Sequence, residues 1–159
     1  MKPGVFTQLY TQWVFAVKYR ECLFHKTQRT EIFSYVSGIV TNLKHKSIIV
    51  GGYSDHIHIF YGQHPSLSVS DTVSEIKRSS SSFINEKKWF RGKFQWQDGY
   101  GGFSYSRSQM DGVYKYIANQ ENHHKMNRFK DEYIDMLIKS EIEYDERFLF
   151  EFFEDVEKL

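Results

Sequence analysis

The sequence has little of what would mark it as anything other than an ordinary globular domain. It holds one cysteine, Cys22, in 159 residues. That excludes a disulfide framework and fits a reducing compartment. No activating group stands near Cys22 in sequence, so it is expected to be structural. No run of about 18 apolar residues occurs, and no transmembrane helix is expected. No charged-then-apolar leader with a cleavage site opens the chain, so a cytoplasmic location is expected. A Gly-x-x-x-x-Gly-Lys loop is missing, which argues against a nucleotide cofactor. Internal repeats are missing too, and the Ser79–Ser82 run is too short to interrupt a helix.

Net charge is also scarce, at +1. The charges are unevenly placed, however. Residues 1–140 hold 19 Lys and Arg against 12 Asp and Glu, a net of +7, whereas residues 141–159 hold 2 against 8, a net of −6. A basic body with an acidic tail is able to neutralise phosphates, although charge alone does not separate that role from plain solubility. The length suits one domain, spanning 1–159, with a sizeable core. Aromatics, at 18%, are abundant. They favour strands, and most of them are expected in the core.

Phe6 to Tyr19 reads as a strand. Thr27 can cap a helix reaching about Leu43, with Ile32, Val36, Ile39, Val40 and Leu43 at helical spacing. Lys46 to Tyr53 and Asp55 to Tyr61 read as two more strands, with Gly51 and Gly52 marking a turn or bulge near their junction. Ser70 or Asp71 can cap a second helix carrying Val73, Ile76, Phe83 and Ile84. Trp89 to Phe103 reads as a loop and a short strand. Ser106 or Ser108 starts a third helix reaching about His124, and the tail from Arg128 reads as mostly helical with a break near Ile142 to Asp145. This order predicts an α+β fold: a ferredoxin-like antiparallel sheet with helices on one face.

Two patterns carry chemistry. In Asp55-His56-Ile57-His58-Ile59-Phe60, alternation along a strand points His56 and His58 to one face and Ile57 and Ile59 to the other. Same-face Cβ atoms lie roughly 7 Å apart, so the two imidazoles can converge on one metal ion while the isoleucines are buried. Asp55 is able to orient an imidazole. Alone, the pattern is equally that of half-buried histidines. Downstream, a helical phase of about 100° per residue puts Met110, Val113, Tyr114 and Ile117 on an apolar stripe, with Tyr114 in the core. Tyr116 and Gln120, four apart, sit together on its flank, with Gln109 and His123 nearby. Alone, this is also an amphipathic helix with a polar edge.

Taken in order, Asp55-His56-Ile57-His58 and Tyr116-x-x-x-Gln120 resemble the single-tyrosine HUH transposases of the smallest bacterial insertion sequences, named for histidine, hydrophobic, histidine. Ser70-Asp71 with Glu75-Ile76-Lys77 is similar to that family's middle helix. Trp96 to Ser104 resembles its loop and strand, and the resemblance covers roughly residues 5 to 150. It implies an HUH-nuclease-type fold and a divalent ion, Mg²⁺ or Mn²⁺, held by His56, His58 and Gln120. It implies that Tyr116 attacks the phosphorus of single-stranded DNA to give a 5′-phosphotyrosine, with His123 a candidate for taking its proton. A structural zinc site would want a fourth Cys or His ligand, which the sequence does not make evident. The resemblance also implies a homodimer, with Gly99, Gly101 and Gly102 as a hinge that lets Tyr116 complete the partner's site. Hairpin DNA is the implied partner. Lys77, Arg78, Lys87, Lys88, Arg91 and Lys93 form the densest basic region and are candidate phosphate contacts, with Trp89, Phe90, Trp96 and Tyr100 candidate stacking platforms. Three alternatives stay open: a domesticated relative acting on repeated palindromes, a catalytically dead nucleic-acid-binding module, and a metal-dependent hydrolase of small substrates.

Overall fold

The computed structural model describes residues 2–154 and 156. Four strands form one sheet: β1 (Tyr10–Ala16), β2 (Lys46–Gly52), β3 (His56–Gly62) and β4 (Gly101–Tyr105). Their order is β2-β3-β1-β4, and each neighbouring pair is antiparallel. The helices are α1 (Lys26–Asn42), α2 (Val69–Lys87), α3 (Met110–Ala118), α4 (Gln120–His124) and α5 (Phe129–Lys139). The strand order and the α1 and α2 crossovers are those of the expected ferredoxin-like unit.

Alternation along the strands builds two apolar layers. Trp13 and Phe15 of β1 and Ile57, Ile59 and Tyr61 of β3 pack on Ile32, Val36 and Val40 of α1 and on Val73, Ile76 and Ile84 of α2. On the opposite face Val14, Ala16 and Phe103 pack on Phe129, Tyr133 and Leu137 of α5 and on Phe150. The two helices of the split unit therefore share one face as expected, and α5 with the following segment adds a cover to the other. Where the chain crosses Trp13, β4 carries Gly102, whose Cβ would stand 2.0 Å from the Trp13 ring. Gly101 lies under the Tyr133 ring in the same way. These two glycines are strand residues that admit rings.

Local starts and stops differ from expectation where side chains found better partners. β1 begins at Tyr10 rather than Phe6. His25, not Thr27, caps α1, in a reciprocal pair with Gln28. Ser68, not Ser70 or Asp71, caps α2 by accepting from the Asp71 amide. The β2–β3 irregularity falls between Ser47 and Ile49, ahead of Gly51 and Gly52. The third helix breaks at Asn119, so Tyr116 and Gln120 lie on separate helices. From Arg128 on, the described residues form one α-helix, α5, and beyond it only short 3-10 turns such as Glu146–Phe148, so the tail is not mostly helical. Phe150 and Phe152 stack against Phe129 and Tyr133. Gln97 also bonds the Glu151 backbone at both its carbonyl and its amide, which holds that stretch as an extended strap.

Candidate active site

The layer beneath α5 contains a buried polar centre. His56 and His58 point into it from β3, as the alternation predicts, and both side chains are fully buried. Gln120 enters from α4 and Glu132 from α5, both buried. Tyr116, half-buried on α3, donates its hydroxyl to Glu132 Oε2. His123, whose ring packs on Tyr116, is a quarter exposed. Tyr114, one of the stripe residues expected in the core, is instead 46% exposed. α3 is short, and it buries mainly Ile117 against Gly51 of β2, where an added Cβ would stand 2.8 Å from the Ile117 side chain.

Both strand histidines are oriented from behind. Asp55 Oδ1 lies 2.7 Å from His56 Nδ1, and Gln12 Oε1 lies 2.6 Å from His58 Nδ1. An Nδ1–H donor in each ring leaves Nε2 aimed into the centre, the arrangement that outer-layer partners impose on metal-binding histidines. His56 Nε2 lies 2.9 Å from Gln120 Oε1 and 3.3 Å from Glu132 Oε1, and His58 Nε2 lies 3.1 Å from Glu132 Oε1. Gln120 Nε2 donates to Glu132 Oε2 at 2.9 Å.

The electrostatics follow from burial and from these neighbours. Burial alone would lower the His56 imidazolium pKa, but Asp55 and then Glu132 outweigh it and hold it at about 10. Burial lowers His58 below its ordinary value despite Glu132. A neutral His58 with its proton on Nδ1 presents a lone pair to the Glu132 carboxylate at 3.1 Å. Two acceptors so placed repel each other unless a cation joins them. The donor set of His56, His58 and Glu132, whose ligand atoms lie within 4.8 Å of one another, therefore fits a divalent ion. Gln120 Oε1 faces the same space. Burial would raise the Glu132 carboxyl, but His58, His123, His124 and His56 hold it well below the ordinary carboxylate value. Burial and the Glu132 charge push the Tyr116 hydroxyl far above its ordinary value.

Glu132 was not legible as a site residue, because nothing separates it by type or spacing from the neighbouring Asp131 and Asp135. His124, which the sequence placed on the tyrosine helix without a ligand role, lies 3.0 Å from Gln120 Oε1 and 3.2 Å from Glu132 Oε2, so further histidine ligands are at hand after all. The residue in contact with the Tyr116 hydroxyl is Glu132, while the His123 ring stands 5.3 Å from the tyrosine ring.

The basic candidates disperse. Lys77, Arg78 and Lys93 line an open groove of about 490 Å³ together with Lys18, Asn85 and Gln97. Lys87 pairs with Glu31, and Lys88 is the left-handed C-cap of α2. Arg91 is exposed in the loop after α2. Of the candidate stacking aromatics, Trp96 is core and donates its indole N–H to Ser80. Trp89 and Phe90 are half-buried against that core, and Tyr100 is exposed, edge-on to Trp13. Cys22 is buried, which pushes its thiol up and fits a structural role.

The orienting role of Asp55 is testable. Asp55→Asn, which removes the charge behind His56, should weaken divalent-metal affinity by about 10–100-fold with the fold retained. Calorimetric titration of the metal-free chain measures it, and an unchanged affinity would remove Asp55 from the site.

Similarity to known proteins agrees with this geometry. No curated protein matches the chain at a significant level. Among solved structures, one assigned as a transposase from Deinococcus radiodurans superposes with a TM-score of 0.60 at 20% identity, covering 76% of this chain and 96% of that one. A REP-associated tyrosine transposase bound to a REP hairpin superposes with a TM-score of 0.55 at 12% identity, covering 78% of this chain and 74% of that one. At these identities the likeness shows the fold. The family model described as "Transposase IS200 like" matches residues 5–120, which include His56, His58, Tyr116 and Gln120 and stop short of His123, His124 and Glu132. The chain belongs to the IS200-like transposase family.

Proposed function

We propose that this transposase cleaves and rejoins single-stranded DNA through a 5′-phosphotyrosine on Tyr116, at a metal centre held by His56, His58, Gln120 and Glu132. The observation that carries this reading is the convergence of the tyrosine hydroxyl, the two strand histidines and the glutamine on one buried carboxylate. A bound ion would supply Lewis-acid neutralisation of the scissile phosphate. Its donors are rich in imidazole, which favours Mn²⁺ over Mg²⁺.

The remaining chemistry belongs to the chain. Glu132 Oε2 and the edge-on rings of His58 and His123 hold the Tyr116 side chain in place. Its oxygen attacks phosphorus, the bond to the 3′ oxygen breaks, and that oxygen leaves as a 3′-hydroxyl with the proton lost by the phenol. Rejoining is the reverse attack by a 3′-hydroxyl, so the stored bond requires no nucleotide. Hairpin DNA is the substrate, and the groove lined by Lys18, Lys77, Arg78 and Lys93 is where its phosphates are held. The test is a denaturing gel of the protein with labelled hairpin DNA. A Mn²⁺-dependent covalent band abolished by chelation supports the reading, and hairpin binding with no band under any divalent ion refutes it.

In this chain Tyr116 reaches its own His58 and Glu132, with α3 seated on β2 of the same chain. We therefore propose action in cis, whether or not two chains pair as a homodimer. Mixing Tyr116→Phe with His56→Ala chains should recover no adduct. Recovery would show that the tyrosine helix is exchanged between subunits.

A further inference from the structure

The strand histidines of the site proposed above face Glu132 Oε1, and Oε2, which takes the Tyr116 and Gln120 hydrogen bonds, has a histidine pair of its own. His123 Nε2 and His124 Nε2 each lie 3.2 Å from Glu132 Oε2, against 3.3 and 3.1 Å from His56 and His58 to Oε1. His123, His124 and Glu132 have their ligand atoms mutually within 4.8 Å, a second such set sharing only the carboxylate with the first. The edge between neighbouring donors on an ion at about 2.1 Å is roughly 3.0 Å in an octahedron and 3.4 Å in a tetrahedron. All four nitrogen–oxygen distances fall in that interval.

The second pair is held towards Glu132 Oε2 as the first is towards Oε1. His124 Nδ1 lies 2.8 Å from the Asn127 carbonyl oxygen, which only accepts, so that nitrogen carries the proton. His124 Nε2 faces two acceptors, Gln120 Oε1 at 3.0 Å and Glu132 Oε2 at 3.2 Å. His123 Nε2 is buried as an atom and makes no hydrogen bond, although Glu132 Oε2 is 3.2 Å away. A buried nitrogen without a hydrogen bond, beside a carboxylate oxygen, is a ligand pair waiting for a cation.

We propose that Glu132 bridges two divalent-cation sites, one on His56 and His58 through Oε1 and a second on His123 and His124 through Oε2. This rests on the metal-centre reading for the first site and adds the second. Two nitrogens and a carboxylate oxygen at each site favour Mn²⁺ or Zn²⁺ over Mg²⁺. The second site borders the nucleophile, because Oε2 also accepts from the Tyr116 hydroxyl. Paired ions on a shared carboxylate recur where phosphodiester oxygens are handled.

The test is titration of the metal-free full-length protein with Mn²⁺, read by elemental analysis after desalting and by electron paramagnetic resonance. Two equivalents per chain with an exchange-coupled signal are expected. His123→Ala, a truncation at the more exposed of the two ligands, should reduce this to one equivalent with the signal of an isolated ion. One equivalent on the wild-type protein, with an isolated-ion signal, overturns the second site whatever the variant does, and leaves the single-ion reading standing. Failure to bind any Mn²⁺ removes both.

Discussion

Tyr116→Phe should abolish the covalent protein–DNA adduct while leaving the fold and the metal affinity nearly intact. The substitution removes one oxygen and keeps the ring that packs edge-on against His58 and His123 at 6.0 and 5.3 Å. The lost contact is a hydroxyl donating to a charged acceptor, worth about 1.5–3 kcal/mol at most. The side chain is only half-buried, and the same change also removes a polar group from the layer beneath α5. The catalytic cost is of another order. Loss of a covalent nucleophile reduces turnover by about 10⁶-fold in well-studied hydrolases, far beyond what that stability change produces. The comparison is a gel of wild type and Tyr116→Phe with Mn²⁺ and hairpin DNA, beside thermal melts of both. Tyr114→Phe is the internal control, since Tyr114 faces outward and should retain full adduct. An adduct that survives Tyr116→Phe would place the nucleophile elsewhere and remove the tyrosine mechanism.

Glu132→Ala should have the largest effect on stability and should also eliminate metal binding. The carboxylate has no exposed area and takes hydrogen bonds from Tyr116 and Gln120, with four imidazoles around it. Truncation leaves His56 charged and those donors buried without an acceptor. Breaking a buried pair from one side costs about 3–5 kcal/mol. Urea denaturation in chelator measures it, with Glu132→Gln as the variant that keeps the shape and loses the charge. A stability loss under about 1 kcal/mol in both variants would mean that the buried charges are not coupled as described.

The pH dependence of the metal-free protein follows from the same groups. The Glu132 carboxyl is depressed in the fold, so its contribution is present above its ordinary value of 4.5 and is lost as pH falls through the folded value. His56 is raised, so its contribution is complete below 6.5 and is lost as pH climbs through about 10. Burial lowers His58 and His45, so both oppose folding as pH falls below 6.5, and stability without metal should therefore peak near 6.5 and decline on either side. Glu132→Gln should flatten the acid side. Metal affinity moves oppositely over the alkaline limb, because an ion must displace the His56 proton.

Much of this was readable along the chain. Period-two alternation in β3 dictated that His56 and His58 share a face while Ile57 and Ile59 enter the α1–α2 core, and a strand has no other way to dispose of those four side chains. The order of strands and helices determined the split unit, since short antiparallel connections and two crossovers leave few arrangements. The ordered set of motifs pointed to the IS200-like family that the family model identifies.

Helical phase misplaced Tyr114, because it treats a helix as a cylinder with one buried stripe. α3 meets the sheet mainly through Ile117 at the narrow gap over Gly51 and leaves Tyr114 outside. The break at Asn119 and the extended strap were invisible for a related reason. Phe150 and Phe152 gain more from stacking on Phe129 and Tyr133 than an exposed acidic helix would gain from its own hydrogen bonds. Those contacts span more than ten residues, beyond any local signal.

The sequence by itself determined the sheet and the face that carries the two histidines, because periodicity is a local property, and its ordered motifs resembled one family. Only the tertiary structure decided that Glu132 stands between these histidines and Tyr116 and that His123 and His124 stand behind it. A carboxylate on a helix of mixed charge is ordinary until packing carries that helix across the open face of the sheet, where burial makes one charge the partner of four imidazoles and a phenol.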